Sequence, residues 1–304
     1  MSPKHFIDLD QIAAQELNAI IQQAIAWKNT GLASHQNQCA GLSLATLFEH
    51  SSTRTRISFN LGAQQLGMYL VELDSDSMHY KKGKETLQDT ARMLNGFVDA
   101  LMYRTDEVVK FDALCEQLTI PLINGLSNYS HPCQIMADVM TVTERFGTIK
   151  GAKVLWVGDY NNVARSWCHA AAKFDFELRI ASPEGYAMDD AECASLMARG
   201  ADIHRFQDPI QAAQGVDVIN TDVWVSMGDD NAEVRINALQ GYQVNAHLMQ
   251  QAANEAIFLH CLPANRDQEV TSEVLDGVQS AAWQQAENRL HVQKAILAWC
   301  LNRL

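Results

Sequence analysis

Basic residues are scarce in this chain of 304 residues: 23 Lys and Arg stand against 36 Asp and Glu, a formal net charge of −13. A chain of that sign does not bind nucleic acid or an anionic membrane broadly, so neither partner is expected. A G-x-x-x-x-G-K-[ST] stretch is missing, which removes the nucleotide P-loop. The G-x-G-x-x-G fingerprint is missing too, which argues against a dehydrogenase-like dinucleotide binder. There is no C-x-x-C, and the seven cysteines (39, 115, 133, 168, 193, 261 and 300) are odd in number and scattered. That distribution suits a reducing compartment better than a disulfide framework or a structural zinc site. Residues 1–30 carry Lys4, Asp8, Asp10 and Glu16 with no uninterrupted apolar core, so neither a signal peptide nor a membrane span is expected there. The expected location is the cytoplasm, and no metal or cofactor is expected.

The length suits two domains of about 150 residues each. Residues 10–28 read as an amphipathic helix, with Ile12, Leu17, Ile20, Ile21 and Ala24 on one face and Asp10 as its N-cap. Beyond it, short apolar runs alternate with helical patterns. Strands are expected at 42–47, 69–73, 98–104, 120–126, 153–158, 177–182, 202–206, 216–222 and 256–262. A helix over 85–97 would bury Leu87, Ala91, Leu94 and Phe97, and another spans 288–302. This alternation predicts an α/β protein of two doubly wound parallel-sheet domains of similar size, joined by interdomain helices. The boundaries expected are 1–147 and 148–287, with 288–304 packing back on the first domain.

The stretch that organises the rest is Phe48-Glu49-His50-Ser51-Ser52-Thr53-Arg54-Thr55-Arg56, between a buried strand and a helix. A strand turning into a helix leaves the first helical N–H groups and the positive end of the macrodipole pointing at one spot. Ser52, Thr53 and Thr55 add hydroxyls, and Arg54 and Arg56 add two guanidinium forks. These ingredients suit a phosphate or another multivalent oxyanion. In an open parallel sheet ligands gather at the carboxyl ends of strands. Arg104 ends the 98–104 strand there, and His131 and Gln134 stand at a helix start marked by Pro132. In the second half, Asp159-Tyr160-Asn161-Asn162, Asp222-Val223-Trp224-Val225-Ser226-Met227-Gly228 and His260-Cys261-Leu262-Pro263 follow strands in the same way. A carboxylate at a strand end, such as Asp222, is placed to hold an ammonium.

Taken together these motifs resemble the ornithine branch of the aspartate/ornithine carbamoyltransferase family over nearly the whole chain. The Ser52–Arg56 run resembles its carbamoyl-phosphate signature, with departures at His50 (usually Lys) and Ser51 (often Pro). H-P-x-Q stands at 131–134, D-x-N-N at 159–162, D-x-W-x-S-M-G at 222–228, H-C-L-P at 260–263 and E-N-R-x-H at 287–291. The resemblance implies carbamoyl transfer from carbamoyl phosphate to L-ornithine. It implies that Ser52, Thr53, Arg54, Thr55, Arg104, His131, Gln134, Cys261, Leu262 and Arg289 bind carbamoyl phosphate. Arg54, Arg104, His131 and Cys261 are the implied catalytic residues. Asn162, Asp222, Ser226 and Met227 would hold ornithine, with Gly228 hinging their loop. The alternatives are another amine acceptor, such as putrescine or an acylated ornithine, and a catalytically silent relative. The family implies homotrimers or multiples of trimers, with a loop at 77–85 completing the neighbouring site. Here that loop reads Ser77-Met78-His79-Tyr80-Lys81-Lys82-Gly83-Lys84-Glu85, about one residue longer and more basic than the family's usual run.

Overall fold

A computed structural model describes residues 3–76, 78–225 and 231–304. The chain forms two compact units, Met1–Met140 with Asn288–Leu304, and Thr141–Glu287. The first holds α1 (Ala14–Thr30), β1 (Ser43–Phe48), α2 (Thr53–Gln65), β2 (Tyr69–Asp74), α3 (Leu87–Leu94), β3 (Ala100–Arg104), α4 (Val109–Cys115) and β4 (Leu122–Leu126), with the start of α5 (Pro132–Phe146). Its four strands are parallel in the order β2-β1-β3-β4. The second holds β5 (Lys153–Val157), α6 (Asn162–Phe174), β6 (Glu177–Ala181), α7 (Asp190–Ala198), β7 (Asp202–Phe206), α8 (Pro209–Ala212) and β8 (Val218–Thr221). It continues through α9 (Ala232–Leu239), α10 (Ala246–Met249), β9 (Ile257–His260), α11 (Ser272–Leu275) and the start of α12 (Ala282–Cys300). Its five strands are parallel in the order β7-β6-β5-β8-β9.

Both sheets are therefore α/β and doubly wound, as the alternating pattern predicts. Parallel strands covered on both faces read as continuous apolar runs, and Leu44 through Phe48 on β1 are all buried. β2 is an edge strand, and Tyr69 and Val71 on it stay exposed. Fully buried Trp156 and Trp167 anchor the second unit, Trp167 edge-on to Phe176 at 5.7 Å. Truncating either to Ala costs about 3–5 kcal/mol.

The strand order reverses between β1 and β3 in the first unit, and between β5 and β8 in the second. These switch points leave a crevice at the carboxyl ends of the strands. One irregularity serves the site: the β3–β4 register shifts between Tyr103 and Arg104. Gly125 allows it, because a Cβ there would meet Met102 Sδ at 2.5 Å. Such a bulge re-aims the side chain beside it, here Arg104.

Two local expectations are corrected. α1 starts at Ala14 after Ala13, which makes no side-chain cap. Asp10 lies instead inside a short 3-10 turn, Leu9–Gln11, which Asp8 caps through the Leu9 N–H. α3 ends at Leu94, and Phe97 is 75% exposed, because the Gly96 turn takes it off the buried stripe.

Candidate active site

In the first unit the strand β1 ends and α2 begins with Ser52 at the N-cap. The Ser52 side chain makes no capping bond, so the first-turn N–H groups stay directed at the turn. Thr55, one turn in, is buried and receives two guanidinium donors: Arg104 Nη1 at 3.2 Å from the end of β3, and Arg289 Nη2 at 3.2 Å from α12. Arg289 is 2% exposed and also donates to Gln134 Oε1 at 2.7 Å. Gln134 in turn donates to Asp138 Oδ1 at 3.1 Å, one turn along α5. The Gln293 amide, oriented by its neighbours, accepts from Arg289 Nη2 and Nε at 2.9 and 3.0 Å and donates to Ser58 Oγ at 2.5 Å.

His131 reaches this cluster from the turn before α5. That turn is shaped by Ser127, whose Oγ accepts from the Ser130 N–H at 3.1 Å, and by Asn124, which donates to Ser130 Oγ at 3.2 Å. Burial holds the His131 imidazole well below its ordinary pKa, and Arg289, Arg104 and Arg54 push it further in the same direction. His131 is thus a neutral ring among three fixed cations. A pocket of that kind binds a multivalent anion and offers a neutral hydrogen-bonding partner to a polar group attached to it. Ser52, Thr53, Arg54, Thr55, Arg104, His131, Gln134 and Arg289 all lie in this unit.

Arg56 is engaged elsewhere. Its Nη1 donates to Glu72 at 2.7 Å, and its guanidinium lies 4.3 Å from the Phe48 ring centroid. The basic segment after β2 is likewise committed in part. Tyr80 and Lys81 bind Glu49 of their own chain at 2.8 and 3.2 Å.

In the second unit Asp222, just past β8, is ringed by donors. Cys261 Sγ and the Val223 N–H reach Oδ1 at 2.8 Å each, and Asn161 Nδ2 reaches Oδ2 at 3.1 Å. Asn161 also caps α6 by accepting from Val163 and Ala164 N–H at 2.9 and 3.1 Å. Asn162 is the first residue of α6. Leu262 sits at φ 56 before a cis Pro263. Its N–H donates to His260 Nδ1 at 2.8 Å, which leaves His260 Nε2 as the donor to Glu269 at 3.2 Å. Glu269 also accepts from the Asn265 N–H at 2.6 Å. Asp222, His260 and Cys261 place three ligand-type atoms within 4.8 Å of one another. Within the trio Cys261 is hydrogen-bonded to Asp222, while both His260 nitrogens are engaged by the Leu262 N–H and Glu269. Ser226, Met227 and Gly228 lie outside the described residues. The segment before them is held by Arg235 of α9, which donates to the Trp224 carbonyl at 2.9 Å and pairs with Asp159 at 2.5 Å.

Sequence reasoning missed Glu49, Asn161, Gln293, Glu269 and Arg235. Asn161 carried a usable signal, since Asn immediately before a helical run is an N-cap. Gln293 carried another, as a polar residue on the buried face of the last helix.

The family model described as "Aspartate/ornithine carbamoyltransferase, carbamoyl-P binding domain" matches residues 4–144, and that described as "Asp/Orn binding domain" matches residues 150–300. The chain is 48% identical over 306 residues to an ornithine carbamoyltransferase of Nitrobacter winogradskyi, covering 99% of this chain and 98% of the relative. It is 48% identical over 304 residues to one of Rhodopseudomonas palustris, covering 98% and 97%. Among solved structures it resembles the ornithine carbamoyltransferase of Pyrococcus furiosus at 40% identity and a TM-score of 0.92, covering 98% of this chain and 96% of that one.

Proposed function

Since the chain belongs to the aspartate/ornithine carbamoyltransferase family, we infer that it transfers the carbamoyl group of carbamoyl phosphate to the δ-amine of L-ornithine, giving L-citrulline and phosphate. The observation that carries this reading is the convergence of Arg104 and Arg289 on Thr55 near the start of α2, in the unit that also buries His131. The first unit binds carbamoyl phosphate: the α2 N-terminus, Ser52, Thr53, Arg54, Thr55 and Arg104 take the phosphate. His131, Gln134 and Arg289 take the carbamoyl group. The second unit binds ornithine through Asn162 and Asp222, with Asp222 pairing the α-ammonium. Ser226 and Met227 belong to the same assignment.

The δ-amine attacks as a free base, because an ammonium has no lone pair. Its nitrogen bonds to the carbamoyl carbon, the bond from that carbon to the bridging oxygen breaks, and phosphate leaves with the electron pair. The proton shed by the amine goes to the departing phosphate or to water. Negative charge that grows on the carbamoyl oxygen is met by donors already in place, a preorganised arrangement worth several kcal/mol without a covalent intermediate. Cys261 acts as a donor to Asp222, and direct transfer to the amine requires no acyl group on its thiol.

The functional assembly is a homotrimer or a multiple of one. Exposed Ile57 and Leu61 on α2, with Tyr69 and Val71 on the edge strand β2, support a face for a second copy. Tyr80 and Lys81 are tied to their own chain, and the basic segment around them is the part offered to a neighbouring site. The enzyme works in the cytoplasm. None of its cysteines forms a disulfide, and among the described residues no helix is long and apolar enough to cross a membrane.

Citrulline-type product formation with ornithine, putrescine, acetylornithine and aspartate in parallel tests the acceptor. Ornithine should exceed the others by at least about tenfold in kcat/KM, the factor expected from one extra charge-assisted contact. Comparable or faster turnover of putrescine would sink the assignment of Asp222 to an amino-acid end.

A further inference from the structure

Glu49 is the last residue before the His50–Ser52 turn, and its side chain is only 2% exposed. Its carboxylate gathers donors from three other segments. Tyr103 and Thr105, on either side of Arg104, reach it at 2.9 and 2.5 Å. Lys110 of α4 binds both oxygens at 3.0 and 2.8 Å. Tyr80 and Lys81 close the remaining side at 2.8 and 3.2 Å. The Glu49 backbone N–H adds a bond to the Arg104 carbonyl at 3.0 Å.

A buried ion pair alone would be no more than structural. What distinguishes this one is where its partners fall on β3. Successive side chains along extended backbone point to opposite faces. Holding Tyr103 and Thr105 on one side therefore turns Arg104 to the other, where its guanidinium meets Thr55 Oγ1 at 3.2 Å. The register with β4 shifts after Tyr103 while Arg104 stays paired with Phe48 on β1, so the strand end is regular on one side only and a side-chain anchor helps decide where Arg104 points.

We propose that Glu49 is a positioning residue of the phosphate half-site: its buried carboxylate clamps Tyr103 and Thr105 and thereby aims Arg104 at the anion. The inference rests on the carbamoyl-phosphate reading above and concerns one substrate only. Glu49 acts through Arg104 and touches no substrate itself. The Tyr80 and Lys81 contacts make these two residues of the basic segment part of the same clamp.

The test is a double-mutant cycle read by calorimetric titration of carbamoyl phosphate in the absence of any amine. Glu49→Gln should weaken binding by about tenfold or more, the loss expected when charged hydrogen bonds that fix a cation are removed. In an Arg104→Ala background the same change should have an effect within about twofold, because coupled residues are non-additive. Thr105→Val, which removes one donor and keeps the shape, should show the same non-additivity should Glu49→Gln fold poorly. The KM for ornithine should stay within about twofold of wild type, since nothing in the clamp reaches that substrate. Equal weakening by Glu49→Gln and Thr105→Val with and without Arg104 would show a general structural role and overturn the proposal. Because this readout needs no acceptor, a wild-type protein that binds carbamoyl phosphate yet makes no citrulline refutes the acceptor assignment alone. A wild-type protein that binds no carbamoyl phosphate overturns both.

Discussion

Asp222→Asn is the substitution whose consequences the geometry fixes most tightly. Three donors face the carboxylate: the Cys261 thiol, the Val223 N–H and the Asn161 amide nitrogen. An amide at 222 has one acceptor oxygen and one NH2, so whichever way it turns, a donor faces a donor. That clash leaves a polar group unsatisfied in a partly buried place, at about 1–3 kcal/mol. Melting should report it as a fall of about 2–4 °C per kcal/mol for a protein near this size. Separately, the bond to the ornithine α-ammonium loses its charge assistance, about 1.5–3 kcal/mol. That corresponds to a fall of about tenfold to a hundredfold in kcat/KM for ornithine. Steady-state kinetics with ornithine varied, paired with titration of carbamoyl phosphate alone, separates the two effects. Carbamoyl phosphate affinity should stay within about twofold. Equal losses for both substrates, or an unchanged ornithine KM, would refute the assignment of Asp222 to the acceptor.

Arg54→Ala removes a charge-assisted contact of about 1.5–3 kcal/mol, so both kcat and carbamoyl phosphate affinity should fall, and a near-normal kcat would exclude Arg54 from the phosphate site. Burial raises the Glu49 pKa, but Lys110, Thr105, Tyr80 and Tyr103 outweigh it and hold the carboxyl at about 2 against an ordinary 4.5. A depressed carboxylate stabilises the fold fully above the unfolded value and loses that contribution as pH falls through the folded one. About 3 kcal/mol should therefore disappear between roughly pH 4.5 and pH 2, and denaturant melts of Glu49→Gln should show a correspondingly flatter acid limb. In mixed trimers, Arg54→Ala subunits combined with subunits carrying His79, Lys82 and Lys84 all changed to Ala should regain activity above either parent. Exchanged hybrids that stay inactive would rule out a shared site.

The sequence alone determined the strands, the helices that follow them, and the clustering of polar motifs at strand ends. Those are local properties: an apolar run of five residues, a Ser or Asn before a helix, a Pro in its first turn. It also placed Arg104 at a strand end of the first sheet, and Asp222 and Cys261 just past strand ends of the second, because residues that end parallel strands share one edge of their sheet. Only the tertiary structure decided which partner each side chain takes. Arg54 and Arg56 are two residues apart on one helix, yet Arg56 is drawn to Glu72 and Phe48. Asn161, rather than its neighbour Asn162, supplies the donor seen on Asp222. Glu49 looks like one more acidic residue in a motif until Tyr103, Thr105 and Lys110 arrive from elsewhere in the sheet. Such pairings join residues tens of positions apart, and they depend on strand order, on register and on the shift that Gly125 permits. Periodicity along the chain carries no record of those three.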